Sequence, residues 1–170
     1  MNLFKSTLIA TALVAAGIAG TANAATATST FKVSINLQKT CSVGVNALNF
    51  GDAGSLTAAV TGQTTATVTC SANNTAYTIK FNPGSGTGST YVSRKLTLET
   101  GTETVTYNLY KTGSYNANEV LGDGTGATTT FTGTGGTTAA THTIYGRVDG
   151  NQSPTNNGVY SSNVVATIEY

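Results

Sequence analysis

The chain has 170 residues, of which 39% are hydrophobic and only 9% charged, with two Cys, one His, no Trp and threonine at roughly one position in five. Of the eight basic side chains, Lys5 lies in a segment expected to be removed, which leaves seven Lys+Arg against seven Asp+Glu and no electrostatic footprint for nucleic acid or an anionic lipid surface. So many β-branched residues and so few strong helix formers exclude a helical bundle and point to an all-β domain, and a neutral, polar, β-rich chain tends to associate.

Residues 1–24 read as a secretory leader. Lys5 supplies the positive end, Leu8 to Ile18 form a short apolar run, and Ala22-Asn23-Ala24 gives a small-x-small cleavage signal. The run falls short of the ~20 residues that cross a bilayer, so an exported chain without membrane insertion is expected. In an oxidising compartment Cys41 and Cys70 have one possible intrachain pairing, a structural disulfide.

From Ala25 to Gln38 the chain alternates: Phe31, Val33, Ile35 and Leu37 on one side, Lys32, Ser34, Asn36 and Gln38 on the other. That is a period-2 strand, ~45 Å long at roughly 3.3 Å per residue. A weaker alternation runs from Val43 to Phe50 and ends at Gly51-Asp52-Ala53-Gly54, followed by a strand through Ala66, Val68 and Cys70. Tyr77, Ile79 and Phe81 form the next, stopped by Asn82-Pro83-Gly84, and a Gly/Ser/Thr loop covers 84–90. Val92, Leu96 and Leu98 mark another strand, and Val105, Tyr107 and Leu109 the one after it. Residues 113–137 read as long loops around a short strand near Thr130 to Thr132, and two strands, Ala140 to Val148 and Val159 to Tyr170, follow. Short strands at this spacing describe an immunoglobulin-like β-sandwich.

The last strand puts Val164, Ala166, Ile168 and Tyr170 on one face, with no residue after Tyr170 in this sequence to pair with it. An apolar edge left bare is an association template. The segment Ala25 to Leu37 has an apolar face with no obvious local partner. Two readings stand side by side: a strand made for another molecule, or the first strand of a self-contained sandwich. In the first, four anchors buried at roughly 1.5 to 3 kcal/mol each supply a gross ~6 to 12 kcal/mol before ordering costs.

No catalytic chemistry assembles. Asp52, Glu99, Glu103, Glu119, Asp123, Asp149 and Glu169 are scattered in or beside turns and read as solvated charges. His142 has no companion at ligand spacing, so no metal is expected. Gly122-Asp123-Gly124-Thr125-Gly126 lacks both the Lys-Ser/Thr ending and the following helix of a phosphate loop. No cofactor and no enzyme activity are expected.

In order along the chain come Leu48-Asn49-Phe50-Gly51, a cysteine in Val68-Thr69-Cys70, Tyr107-Asn108-Leu109-Tyr110, Gly122-Asp123-Gly124-Thr125-Gly126, Ile144-Tyr145-Gly146-Arg147-Val148, a Gln152 and Pro154 loop, and Gly158-Val159-Tyr160-Ser161-Ser162. This string resembles the spore coat protein U domain family, the family of archaic (Csu-type) chaperone-usher pilins. Members often carry an aromatic where this chain has Val120-Leu121. The resemblance implies an incomplete immunoglobulin-like sandwich (39–170) lacking its last strand, completed by a donor strand (25–38) from another copy. Phe31, Val33, Ile35 and Leu37 would be the donor plugs, and Val164, Ala166, Ile168 and Tyr170 would flank the acceptor groove. The implied partners are further pilin subunits, a periplasmic chaperone and an outer-membrane usher. The implied destination is an extracellular fimbrium, reached through the periplasm and serving attachment and biofilm formation, with a shaft subunit favoured over a tip adhesin. The alternative is a secreted, self-complemented monomeric coat or carbohydrate-binding domain.

Overall fold

Residues 24–170 are described by the computed structural model, so the expected leader falls outside the described residues except for Ala24. The described strands are β1 (Cys41–Val45), β2 (Val60–Cys70), β3 (Thr75–Phe81), β4 (Arg94–Leu98), β5 (Thr104–Tyr110), β6 (Phe131–Gly135), β7 (Ala140–Val148), β8 (Tyr160–Ser161) and β9 (Ala166–Glu169), with one 3-10 turn at Ala117–Glu119. Alternation governs them. In β3 Thr75, Tyr77, Ile79 and Phe81 are buried while the residues between are not, as a pleated strand with one face on a core requires.

Six strands form one sheet in the order β1-β2-β7-β5-β4-β8, and three form another in the order β6-β3-β9. Every pairing between these strands is antiparallel. The core lies between the two sheets. Ala66, Val68, Val105, Tyr107, Leu109, Ile144 and Val148 from the larger sheet cluster with Tyr77, Ile79, Phe81 and Phe131 from the smaller, which makes the all-β sandwich expected from the strand pattern. Cys41 and Cys70 are disulfide-bonded and directly opposed in the β1–β2 register. Closing a loop of 29 residues' separation stabilises the fold by about 3 to 4 kcal/mol in the chain-entropy picture.

The Leu48-Asn49-Phe50-Gly51 motif has a packing explanation. Gly62 of β2 and Gly146 of β7 face each other, and the shallow floor they make receives Leu48 and Phe50. A Cβ on Gly146 would stand 2.7 Å from Leu48 Cδ1 and 2.9 Å from Phe50 Cζ. Phe50 also meets Tyr107 edge-on, ring centres 6.2 Å apart.

Several expectations are corrected. The strand read across 25–38 is not formed: residues 24–40 contain no strand. Alternation prepares a face, but a strand exists only when a neighbour satisfies its backbone groups. The strand expected from Val43 to Phe50 ends at Val45, because Leu48 and Phe50 fold onto the glycine floor. β2 starts at Val60, well before the apolar signal at Ala66, because it pairs with β7 from Val60↔Val148 to Val68↔Ala140. Val92 is 58% exposed and precedes β4. The single final strand expected from Val159 to Tyr170 is two pieces in different sheets: β8 pairs with β4, β9 pairs with β3, and Ser162 to Val165 crosses between them.

Candidate functional site: an open apolar groove

β1 ends one sheet and β9 ends the other, each hydrogen-bonded to a single neighbour. Between these two edges lies a cleft of about 460 Å³. One rim is Val43 and Val45 of β1, continued by Asn46, Ala47 and Leu48. The other is the crossing segment Ser162 to Val164 with Ala166 at the start of β9. The floor is core: Phe81, Leu96, Tyr107, Leu109 and Ile144. No charged side chain lines it, so the groove suits an apolar occupant whose backbone can pair with an open sheet edge. Burial pushes the Tyr107 phenol above its ordinary value, so this floor residue stays neutral.

Of the acceptor residues named from sequence, Val164 and Ala166 line the cleft. Ile168 packs on the core from β9, beyond the lining. Tyr170 follows β9 and is 58% exposed. The β1 rim and the floor were not singled out from sequence, although the parity of Val43 and Val45 with Cys41 already placed them on the core-facing side. Phe31, Val33, Ile35 and Leu37 are 81–85% exposed, four large apolar side chains at every second position.

Glu103 behaves differently from the solvated turn charge expected of it. Its carboxylate accepts hydrogen bonds from Tyr160 Oη (2.6 Å), from Thr155 N and Oγ1 (2.6 and 3.0 Å) and from Asn156 N and Nδ2 (2.9 and 3.0 Å). It thereby anchors the loop that leads into β8. The Tyr160 hydroxyl and the loop donors hold Glu103 down at about 2. Desolvation and the facing carboxylate push Tyr160 up to about 12. A depressed carboxylate contributes stability that is complete above its unfolded value, near 4.5, and is lost as the pH falls toward 2. The raised phenol contributes stability that is complete below 10 and lost as the pH rises toward 12. Thermal melts are expected to show wild type losing its advantage over Glu103→Gln between pH 4.5 and 2; parallel curves across that window would remove the anchor.

His142 and Asp123 both have local partners. His142 Nε2 lies 2.8 Å from Tyr77 Oη and its ring stacks on Phe131 at 4.7 Å, while burial lowers its pKa. Asp123 Oδ1 accepts from Thr125 N at 2.9 Å and Thr125 Oγ1 at 2.7 Å, closing the Gly-Asp-Gly loop on itself. Among the described residues no group of three or more His, Cys, Asp or Glu could hold a metal ion, and no helix is long and apolar enough to cross a membrane.

The molecule is thus a disulfide-braced β-sandwich with an uncharged apolar groove between the free edge of β1 and the segment that leads into β9. The Spore Coat Protein U domain family matches residues 27–167, and the chain belongs to that family, whose members are structural, pilin-type domains of the cell exterior. No curated protein matches the chain.

Proposed function

We propose that the chain is a structural subunit of a surface fibre, a pilus shaft, and that it polymerises by placing residues 25–38 in the groove of a second copy. The carrying observation is the groove itself: an apolar floor open between β1 and β9, with a backbone edge on each side able to accept one more strand. Membership in a family of pilin-type domains supports the reading, as does the alternating exposed face of Phe31, Val33, Ile35 and Leu37. Burial of these four side chains is worth a gross ~6 to 12 kcal/mol, and the added strand brings backbone hydrogen bonds along its length. Residues 1–24 serve as the export leader in this reading. A periplasmic chaperone occupies the groove before an outer-membrane usher exchanges it for the next subunit's donor, and the fibre serves attachment and biofilm formation.

The test is periplasmic expression of the full chain and of a form lacking residues 25–37, each with and without the chaperone, followed by size exclusion and unheated SDS gels. The full chain is expected to form ladders, and the truncated chain to be degraded unless the chaperone is supplied. Two stable monomers would overturn the proposal.

A further inference from the structure

The crossing segment Ser162 to Val165 forms a rim of the groove, yet it belongs to no strand; the β3–β9 pairing reaches it by one further backbone bond, at Asn82 and Val165, and no ladder continues beyond that. Its backbone partners all come from the turn after β3. Val165 N donates to Asn82 Oδ1 at 2.9 Å, and Asn82 N donates to Val165 O at 3.0 Å. Ser85 N donates to Asn163 O at 3.0 Å, and Asn163 N donates to Ser85 Oγ at 2.8 Å. Gly86 N donates to Ser162 Oγ at 3.2 Å. Gly84, at φ +91°, lies so close that a Cβ would meet Ser162 Oγ at 2.7 Å and Val164 Cγ2 at 3.3 Å.

The turn is itself held from below. Asn82 Oδ1 accepts a second bond, from Gly84 N at 3.1 Å, which fixes its side chain. Asn82 O accepts from Arg94 Nη2 at 3.0 Å. The Arg94 side chain is fully buried, and its guanidinium also donates to Leu121 O (2.7 Å), Tyr91 O (2.9 Å) and Asn108 Oδ1 (2.6 Å). A continuous path of hydrogen bonds therefore runs from a buried cation through Asn82 to the backbone of the groove rim.

We infer that Asn82, fixed by Arg94, is a positioning residue that holds the Ser162–Val165 rim ready for an incoming strand. The inference rests on the proposed donor-strand function and adds what keeps the groove open and in register. A rim fixed beforehand removes part of the ordering cost that strand addition otherwise carries. Asn82 does not line the groove; it acts through Val165. Aspartate at this position keeps the two-acceptor geometry toward Val165 N and Gly84 N, whereas leucine keeps the volume and loses both bonds.

The experiment co-expresses the full chain with its chaperone as wild type, Asn82→Leu, Asn82→Asp and Ser85→Ala. It reads the rate at which fibre ladders dissociate in SDS and the amide exchange of Val165 and Asn163. Asn82→Leu is expected to dissociate about tenfold faster than wild type, with faster exchange at Val165, and Asn82→Asp to recover both. A general loss of packing would not be rescued by introducing a charge. Wild-type dissociation and exchange in Asn82→Leu overturn the inference, as does a loss that Asn82→Asp fails to repair. Should Asn82→Leu not accumulate, Ser85→Ala decides: faster dissociation with faster Asn163 exchange supports the rim clamp, and unchanged values overturn it. Absence of ladders in wild type overturns the polymerisation proposal instead, and amide exchange on the chaperone-bound chain then judges the clamp alone.

Discussion

Arg94→Met is expected to destabilise the sandwich by about 3 to 5 kcal/mol, a large share of the ~5 to 15 kcal/mol that holds a domain folded. Its guanidinium is fully buried and meets no carboxylate; all four hydrogen-bond acceptors are neutral oxygens. Burial lowers its pKa, but a guanidinium keeps its proton in proteins. The charge is therefore solvated by the fold, through a planar fork that reaches Asn82, Tyr91, Asn108 and Leu121 at once. Methionine fills similar volume but strands the carbonyls of Asn82, Tyr91 and Leu121, each at a cost of about 1 to 3 kcal/mol where no water replaces the donor. Asn108 loses less, because its Oδ1 also accepts from Leu109 N at 2.9 Å. Lysine concentrates its donors at one point and cannot span the four acceptors, so Arg94→Lys is expected to fall nearer to methionine than to wild type. Urea unfolding of the disulfide-bonded chain measures both. A methionine variant within about 0.5 kcal/mol of wild type, the range of ordinary surface substitutions, would mean that the network is dispensable.

How far the sequence discloses this architecture depends on what sets each element. β3, β5 and β7 are legible because Tyr77, Ile79 and Phe81, then Val105, Tyr107 and Leu109, then Ile144 and Val148 each fall on one parity, and each strand has a sheet neighbour on both sides. The start of β2 is not, since Thr61, Gly62, Gln63 and Thr64 carry no apolar rhythm and are held as a strand by their pairing with β7. Arg94 illustrates a signal that is present but easily discounted: it shares the parity of Leu96 and Leu98, which places it on the core face, while its charge argues for solvent. Parity is the better guide here because four oxygens wait for it. The switch from β8 to β9 leaves no trace in the periodicity, as Tyr160, Ser162, Val164, Ala166 and Ile168 are all partly buried and every residue between them is exposed. Alternation reports which way side chains face, and the crossing keeps them facing the core while the backbone changes partners. The groove was half legible for the same reason. Val164 and Ala166 announce an inward face, but that the opposing rim is β1 depends on which strand ends the other sheet, a property of pairing order that local pattern does not encode. Tyr170 shares the parity and still escapes burial, because the pairing with β3 reaches only to Glu169.

Ile35→Asp is expected to leave the subunit folded and captured by chaperone while abolishing ladders. At 82% exposure, Ile35 contributes little to the body, so the substitution costs the folded subunit no more than about 0.5 kcal/mol. In the proposed joint the same position is buried. Aspartate there forfeits the roughly 1.5 to 3 kcal/mol of isoleucine burial and brings a carboxylate into a groove lined by no charged residue, a desolvation cost of several kcal/mol with no cation to offset it. Together these remove most or all of the ~6 to 12 kcal/mol gross that the four plugs supply. The control is one residue away: Ser34→Asp adds the same charge at the opposite parity, where an inserted strand points its side chains to solvent, and it is expected to polymerise. Unheated SDS gels of the two variants, beside chaperone co-purification, read the difference directly. Normal ladders from Ile35→Asp, or equal loss from both variants, would mean that the alternating face of residues 31–37 is not the part of the chain that enters the groove.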